Sequence, residues 1–274
     1  MKAVKAILLS LSLCLIVALC GLWFIQDINA AKADQIAQVL ELQNKTSGTF
    51  YPELVVGLPP LAKRYFYHAI QPGTPMAGCV KLTLTGEIKL DEKSGWLPFS
   101  AEQLLAGGQG FVWKAKIRES RHTDLQGSDS YYVGKALSRF VRFGIIPALN
   151  LSGPRLDQSA AGRLAIESLW LPPVFMPQNG ARWFALDEDR VLAILECRSE
   201  KTTLTMTMDE KGGVRSALID RYRDGELLPF GLEVDEETTI GGYTIPSVIR
   251  AGWGYGTPNY DEVYRATVVD AKFL

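Results

Sequence analysis

The stretch 157-DQSAAGRLAIESLWLPP-173 decides the fold, because it is a helical island between two long runs of strand-like sequence. Ala161, Leu164, Ala165 and Ser168 repeat at helical spacing and make a smooth packing face, with Ser159 placed as the N-cap and Pro172 and Pro173 as the stop. One turn separates Arg163 from Glu167. As an exposed pair they would add only about 0.2–0.5 kcal/mol or less. Buried against a sheet, they would need charged partners from the second strand block, for which Arg221, Asp220 and Arg250 are the candidates, and would then clamp the helix in place.

Working outward, the sequence before this helix changes period. Val80, Leu82 and Leu84 alternate with Lys81, Thr83 and Thr85 up to a break at Gly86. Phe111, Trp113, Ala115 and Ile117 alternate with Val112, Lys114, Lys116 and Arg118. Between them Trp96 to Ala101 reads as an edge segment, since Pro98 cannot donate to a ladder. A further strand is expected from Asp129 to Ala136 after a Gly127 turn, then a helix from Ser138 to Pro147. On the far side, from Trp183 onward, strands are expected at Arg190 to Cys197, Thr202 to Met208, Val214 to Arg223, Tyr243 to Arg250 and Val263 to Phe273. Asp209 to Gly213 and Arg223 to Gly225 are the hairpin turns. Upstream, Pro59 and Pro60 open a helix whose Ala62, Tyr65, Phe66, Ala69 and Ile70 share one face. The order is helices, strands, helices, strands, without β-α-β alternation. It predicts an α+β fold: a strongly curved antiparallel sheet, an incomplete β-barrel, with helices packed on its concave side.

The N-terminus reads as a membrane segment. Lys2 and Lys5 precede the uncharged run Ala6 to Ile25, whose length as a helix, about 30 Å, matches the hydrocarbon thickness of a bilayer. It is either a retained anchor, with Trp23 and Phe24 at the interface, or a signal cleaved after Ala31-Lys32-Ala33. In both cases residues 1–33 form the targeting unit, and 34–274 form one exported domain that begins with a short amphipathic helix capped by Asp34. The expected location is the inner membrane, single-pass, with the main domain outside the cytoplasm, or the periplasm if the segment is cleaved. Cys79 and Cys197 either form one disulfide or stay as two buried thiols.

A net charge of -1 gives no basic field for nucleic acid. Only His68 and His122 are present, no Gly-x-Ser-x-Gly elbow occurs, and no Cys-x-x-Cys pair suggests zinc. The acidic runs 187–189 and 235–237 read as solvated turns, and the glycine strings 107–110 and 252–256 as strand-entry turns or bulges. No catalytic residue, metal ligand or cofactor is therefore assigned.

The strings LPPLAKRYFYHAI (58–70), GFVWKAKI (110–117), DQSAAGRLAIESLWLP (157–172), LPFG (228–231) and IPSVIRAGWGYGT (245–257) together resemble a widespread bacterial family of membrane-tethered domains of unknown function. The element order is also similar to that of LolA/LolB-type lipoprotein carriers. This implies an incomplete barrel around an apolar cavity lidded by helices. The expected function is that of a non-catalytic, membrane-tethered domain holding a lipid-like or other apolar small molecule, with the membrane itself contacted through residues 6–25. The candidate ligand-binding residues are Trp96, Phe99, Phe111, Trp113, Arg163, Glu167, Trp170 and Trp253. Arg163, Arg182 or Arg250 would meet a polar head. The alternatives are an envelope scaffold without a cavity, whose protein partner the sequence does not identify, and a carboxylate-based hydrolase.

Overall fold

The computed structural model describes residues 2–44, 46–91, 94–197, 200–223 and 225–274. Among these, thirteen strands form one antiparallel sheet. They are β1 (Cys79–Ile88), β2 (Leu97–Ala106), β3 (Gly110–Arg118), β4 (Asp124–Tyr132), β5 (Lys135–Arg142), β6 (Ile146–Ser152), β7 (Arg182–Ala185), β8 (Arg190–Cys197), β9 (Glu200–Met208), β10 (Val214–Arg223), β11 (Glu226–Ile240), β12 (Tyr243–Trp253) and β13 (Asp261–Phe273). Across the sheet the order is β6-β5-β4-β3-β2-β1-β13-β12-β11-β10-β9-β8-β7. Each strand thus lies beside its sequence neighbour, except where β1 meets β13. Strands β6 and β7 are the two edges, and the chain between them holds the central helix.

That helix, α3 (Pro154–Glu167), touches β3 to β6 of one half and β8 to β10 of the other, so the sheet wraps around it. Helix α2 (Pro60–Ala69) packs at another part of the interior. Its Tyr65 and Phe66 lock with Phe175 and Trp183 at ring separations of 5.1–6.0 Å. Alternation sets the inner face: Phe99, Ala101 and Leu105 of β2 and Phe111, Trp113, Ala115 and Ile117 of β3 are buried, while Ser100, Glu102 and Lys116 face out. Each fully buried large side chain contributes about 1.5–3 kcal/mol. The architecture is the α+β, open, curved antiparallel sheet that the element order implies.

Several boundaries differ from the sequence reading, each for a local reason. Residues 138–147 are not a helix but the β5–β6 hairpin: Ala136, Ser138 and Phe140 point inward with period two. Gly127 lies inside β4 and Gly86 inside β1, where a Cβ would run into the carbonyl of Arg139 or Arg265 on the next strand; glycine here permits close backbone approach, not a turn. The turn that follows β4 is Val133–Gly134, both with positive φ. The segment at Trp96 starts β2, an interior strand, and Pro98 is tolerated near its first residue. Strand β11 went unread, because Pro229, Gly231 and the acids 235–237 interrupt its pattern. The acids lie in the strand at register shifts, not in a turn. Helix α3 begins at Pro154, ahead of Ser159, which takes another role below. The turn residue Asp224 and the side chain of Cys197 lie outside the described set.

The N-terminal segment and the amphipathic helix after it are one continuous helix, α1 (Lys2–Gln43), long and apolar enough over its first part to cross a membrane. Its last turns dock on the outer, convex face of the sheet. Ala33 and Leu40 are buried with Cys79, Leu104, Ala106 and Val112 as a second small core. Asp34, expected as a cap, instead pairs with Lys114, Glu41 pairs with Lys81 at 2.7 Å, and Arg139 donates to Asn29.

Candidate functional site

The site is built where α3 faces β2, β3 and β4. Arg163 Nε donates to Glu167 Oε1 (2.7 Å) and Arg163 Nη1 to Asp129 Oδ2 (2.9 Å). Gln103 Nε2 donates to Glu167 Oε2 (2.7 Å), and the Ser138 hydroxyl to Asp129 Oδ1. All four carboxylate oxygens therefore have a donor. The Arg163 guanidinium lies over Phe111 (4.6 Å) and Trp113 (5.2 Å). Burial would push this guanidinium down, but Glu167 and Asp129 more than reverse that, so its pKa is raised. The clamp is real, but its partners are Asp129 and Gln103 of the first strand block. Asp220 is exposed on the far side of β10, and Arg250 is tied into an outer-face network with Asp235, Glu233 and Glu262.

Beside the clamp is a cavity of about 220 Å³ with apolar walls from Ile166, Trp170, Phe230, Leu232, Ile249 and Trp253. Trp113, Arg163, Glu167, Trp170 and Trp253, five of the eight candidate residues, line it. Phe111 lines an adjoining cavity of about 110 Å³, with Arg163, Arg221 and Asp129 common to both. Phe99 stands behind the wall, stacked on Tyr264 (5.3 Å) and edge-on to Trp113 (5.7 Å). Trp96 is not brought to the cavity: Lys89 and Arg265 sit over its ring at 4.8 and 4.2 Å. Arg182 is exposed at the start of β7, and Arg250 faces away; neither meets this space.

Sequence reasoning missed Tyr264 and undervalued Arg221. Both carried a signal. Arg221 shares strand parity with the buried Ala217 and Ile219, and Tyr264 with the buried Ala266 and Val268. A charged or hydroxylated residue on an apolar strand face needs a partner. Arg221 Nε and Nη2 donate to the backbone oxygen and hydroxyl of Ser159 (both 3.2 Å), and its guanidinium lies over Phe230 (4.5 Å) and Trp253 (5.1 Å). The Tyr264 hydroxyl and Trp113 Nε1 are buried without a hydrogen bond. They are neighbours, and neither has another hydrogen-bond partner among the described residues. Burial first, then the charge of Glu167, raises the Tyr264 phenol.

A larger space of about 650 Å³ lies elsewhere, between α1 and the outer face, over a polar floor that includes Thr85, Ser100, Lys114 and Gln126. His68 bonds Glu237 (2.9 Å) far from the cavity, on α2. Among the described residues no group of three or more His, Cys, Asp or Glu is arranged to hold a metal ion. With its carboxylates engaged, the cavity offers hydrogen-bond donors and apolar walls.

A family model described as "Family of unknown function (DUF6544)" matches residues 48–265, and the chain belongs to that family. No curated protein matches it. Among solved structures, a LolA superfamily protein from Nitrosomonas europaea is similar with a TM-score of 0.43 and 11% identity, over 78% of this chain and 92% of that one. A DUF1329 family protein from Desulfovibrio piger is similar with a TM-score of 0.43 and 10% identity, over 78% and 90%.

Proposed function

We propose that this member of the family is an exported, membrane-tethered, non-catalytic domain that holds a lipid-like or other apolar molecule in the cavity between α3 and the concave face of the sheet. The observation that carries the reading is the cavity of about 220 Å³ with apolar walls, beside a clamp that holds α3 against the sheet. Sites that engulf a drug-sized ligand measure about 300–1,000 Å³. The ligand is thus small, or leaves part of itself outside. The apolar first part of α1, preceded by lysines, supports a single inner-membrane span with the sheet on the extracytoplasmic side. Residues 34–274 are read as one unit, since a single sheet runs through it.

The test is native mass spectrometry of the full chain, released gently from its host membrane, with lipid extraction of whatever travels with it. A stoichiometric adduct of lipid size, lost on Ile249→Lys, supports the reading. Bare protein in repeated preparations with added lipid overturns it. A second reading, an envelope scaffold, is favoured by the exposed Ile146, Leu149 and Leu151 on edge strand β6. A cross-linked protein partner at β6 with an empty cavity is the result that would select it.

A further inference from the structure

Of the described cations that line the cavity, Lys89, Arg163 and Arg221, only Arg221 has no carboxylate; Arg223, two residues further along β10, lies over the Trp253 ring (5.4 Å) without lining the cavity. Arg163 takes both Glu167 and Asp129, and among the described residues no acid lies within ion-pair distance of Arg221. Its two recorded hydrogen bonds end on Ser159, leaving Nη1 without a partner among the described residues. A half-buried charge left without a counter-ion is unfavourable to the fold, yet the chain makes room for it. Gly162 of α3 is where the Arg221 stem passes: a Cβ at Gly162 would lie 2.6 Å from Arg221 Cγ. Glycine inside a helix is itself unfavourable relative to alanine. Burial, and then repulsion from Arg163, push the guanidinium down to about 10, with Glu167 and Asp129 acting the other way, so it stays protonated near neutral pH.

The same cavity receives two more unsatisfied groups, Trp113 Nε1 and the Tyr264 hydroxyl. Trp113 Nε1 is a donor only, and the Tyr264 hydroxyl can donate. Within the cavity lining the unused hydrogen-bonding capacity is therefore mostly donor capacity plus one unpaired cation: Glu167 and Asp129 are spent, and the unsatisfied acceptor Gln103 Oε1 belongs to a residue that does not line the cavity. A ligand that fits carries acceptor atoms and one negative charge at one end. A dianion would face two carboxylates with a single unpaired cation among the described cavity-lining residues to meet it.

We propose that the ligand is a monoanionic amphiphile, a single-chain carboxylate whose head is received by Arg221, Trp113 Nε1 and Tyr264 and whose chain lies against Ile166, Phe230, Ile249 and Trp253. This rests on the cavity being a ligand site. It differs from the head-group roles expected for Arg163, Arg182 and Arg250, since the first is already neutralised and the others lie elsewhere.

The test uses the full chain in lipid nanodiscs, titrated with octanoate carrying ¹³C at the carboxyl, with 1-octanol and octyl phosphate in parallel and empty nanodiscs to subtract partitioning. Octanoate is expected to bind at least about tenfold more tightly than octanol, the scale of a charge-assisted hydrogen bond. The bound carboxyl should stay ionised to lower pH than the free one. Arg221→Gln should abolish the preference while octanol still binds. Trp113→Phe, which keeps the ring and removes the donor, should weaken octanoate alone, and so guards against a folding defect in the first variant. Equal binding of octanoate and octanol, unchanged in Arg221→Gln, overturns the carboxylate and leaves the apolar cavity standing. Tighter binding of octyl phosphate overturns the monoanion. Failure of all three probes overturns the cavity reading itself.

Discussion

Replacing Arg163 by methionine removes a guanidinium and keeps an apolar chain of similar reach, which makes it a sharp probe of the clamp. Arg163 makes two charge-assisted hydrogen bonds, of 2.7 and 2.9 Å, to carboxylates of which Glu167 is 9% exposed. At about 1.5–3 kcal/mol each, their loss amounts to about 3–6 kcal/mol, which agrees with the about 3–5 kcal/mol expected when one partner of a buried pair is removed. The stacking over Phe111 and Trp113 adds at most about 1–2 kcal/mol, part of which methionine retains. For a domain of this size 1 kcal/mol moves Tm by about 2–4 °C, so R163M should lower it by roughly 10 °C, read by tryptophan fluorescence on heating. The companion is the triple variant R163M/E167Q/D129N, which leaves no carboxylate stranded and should recover more than half of the loss, the remainder being the field that Glu167 and Asp129 supply to Arg221. A fall in Tm of less than about 3 °C for R163M, or a triple variant as unstable as the single one, would refute the reasoning, because the carboxylates would then be reached by water.

Other consequences are equally direct. Gly162→Ala should displace the Arg221 stem despite its better helix propensity; octanoate affinity should fall about tenfold while Tm changes by only a few degrees, and unchanged affinity would contradict the packing. Cys79 is buried beneath Leu40 with its thiol pushed up to about 11, by burial first and then by Glu41, so it should resist alkylation at pH 8. Leu40→Ala, which costs about 2–5 kcal/mol, should free α1 from the sheet and expose it, as scored by mass spectrometry with the other cysteines replaced by alanine. The His68 pKa is raised, chiefly by its hydrogen bond to Glu237. A raised folded-state value means that this contribution is full below the ordinary imidazole pKa of about 6.5 and is lost as pH climbs through the raised one. His68→Gln should therefore lower Tm at pH 6 by a degree or two more than at pH 9; an equal effect at both would deny the ion pair.

Period-two alternation made β1, β3 and β9 readable, and the proline pairs made the start of α2 and the stop of the central helical segment readable, because those signals are local. Residues 138–147 were misread since Phe140, Val141 and Ile145 also satisfy helical spacing, and only pairing with β4 and β6 decides between the two. The Arg163–Glu167 clamp was visible as a pair, but Asp129, 34 residues away, is joined to it by sheet curvature that no local pattern encodes. Trp96 looked like any other tryptophan of the set, and the lysine and arginine that cover it come from just past β1 and from β13. Arg221 was the informative residue left half-read: an arginine on an apolar strand face is a question that the sequence poses and the cavity answers.

The unbroken α1 bears on how such a domain would work in a bilayer. From Ile25, the end of the apolar run Ala6 to Ile25, to Ala33, the first buried on the sheet, is eight helical steps, about 12 Å of rise. A mast that short and stiff gives the sheet almost no reach and no swivel. Its mouth keeps a constant height and bearing above the lipid surface, and its orientation turns only as the span itself turns. On the proposed reading such a domain is a fixed berth: its ligand would be loaded and collected at the membrane, by lateral encounter in the plane of the bilayer, and not by diffusion across the envelope.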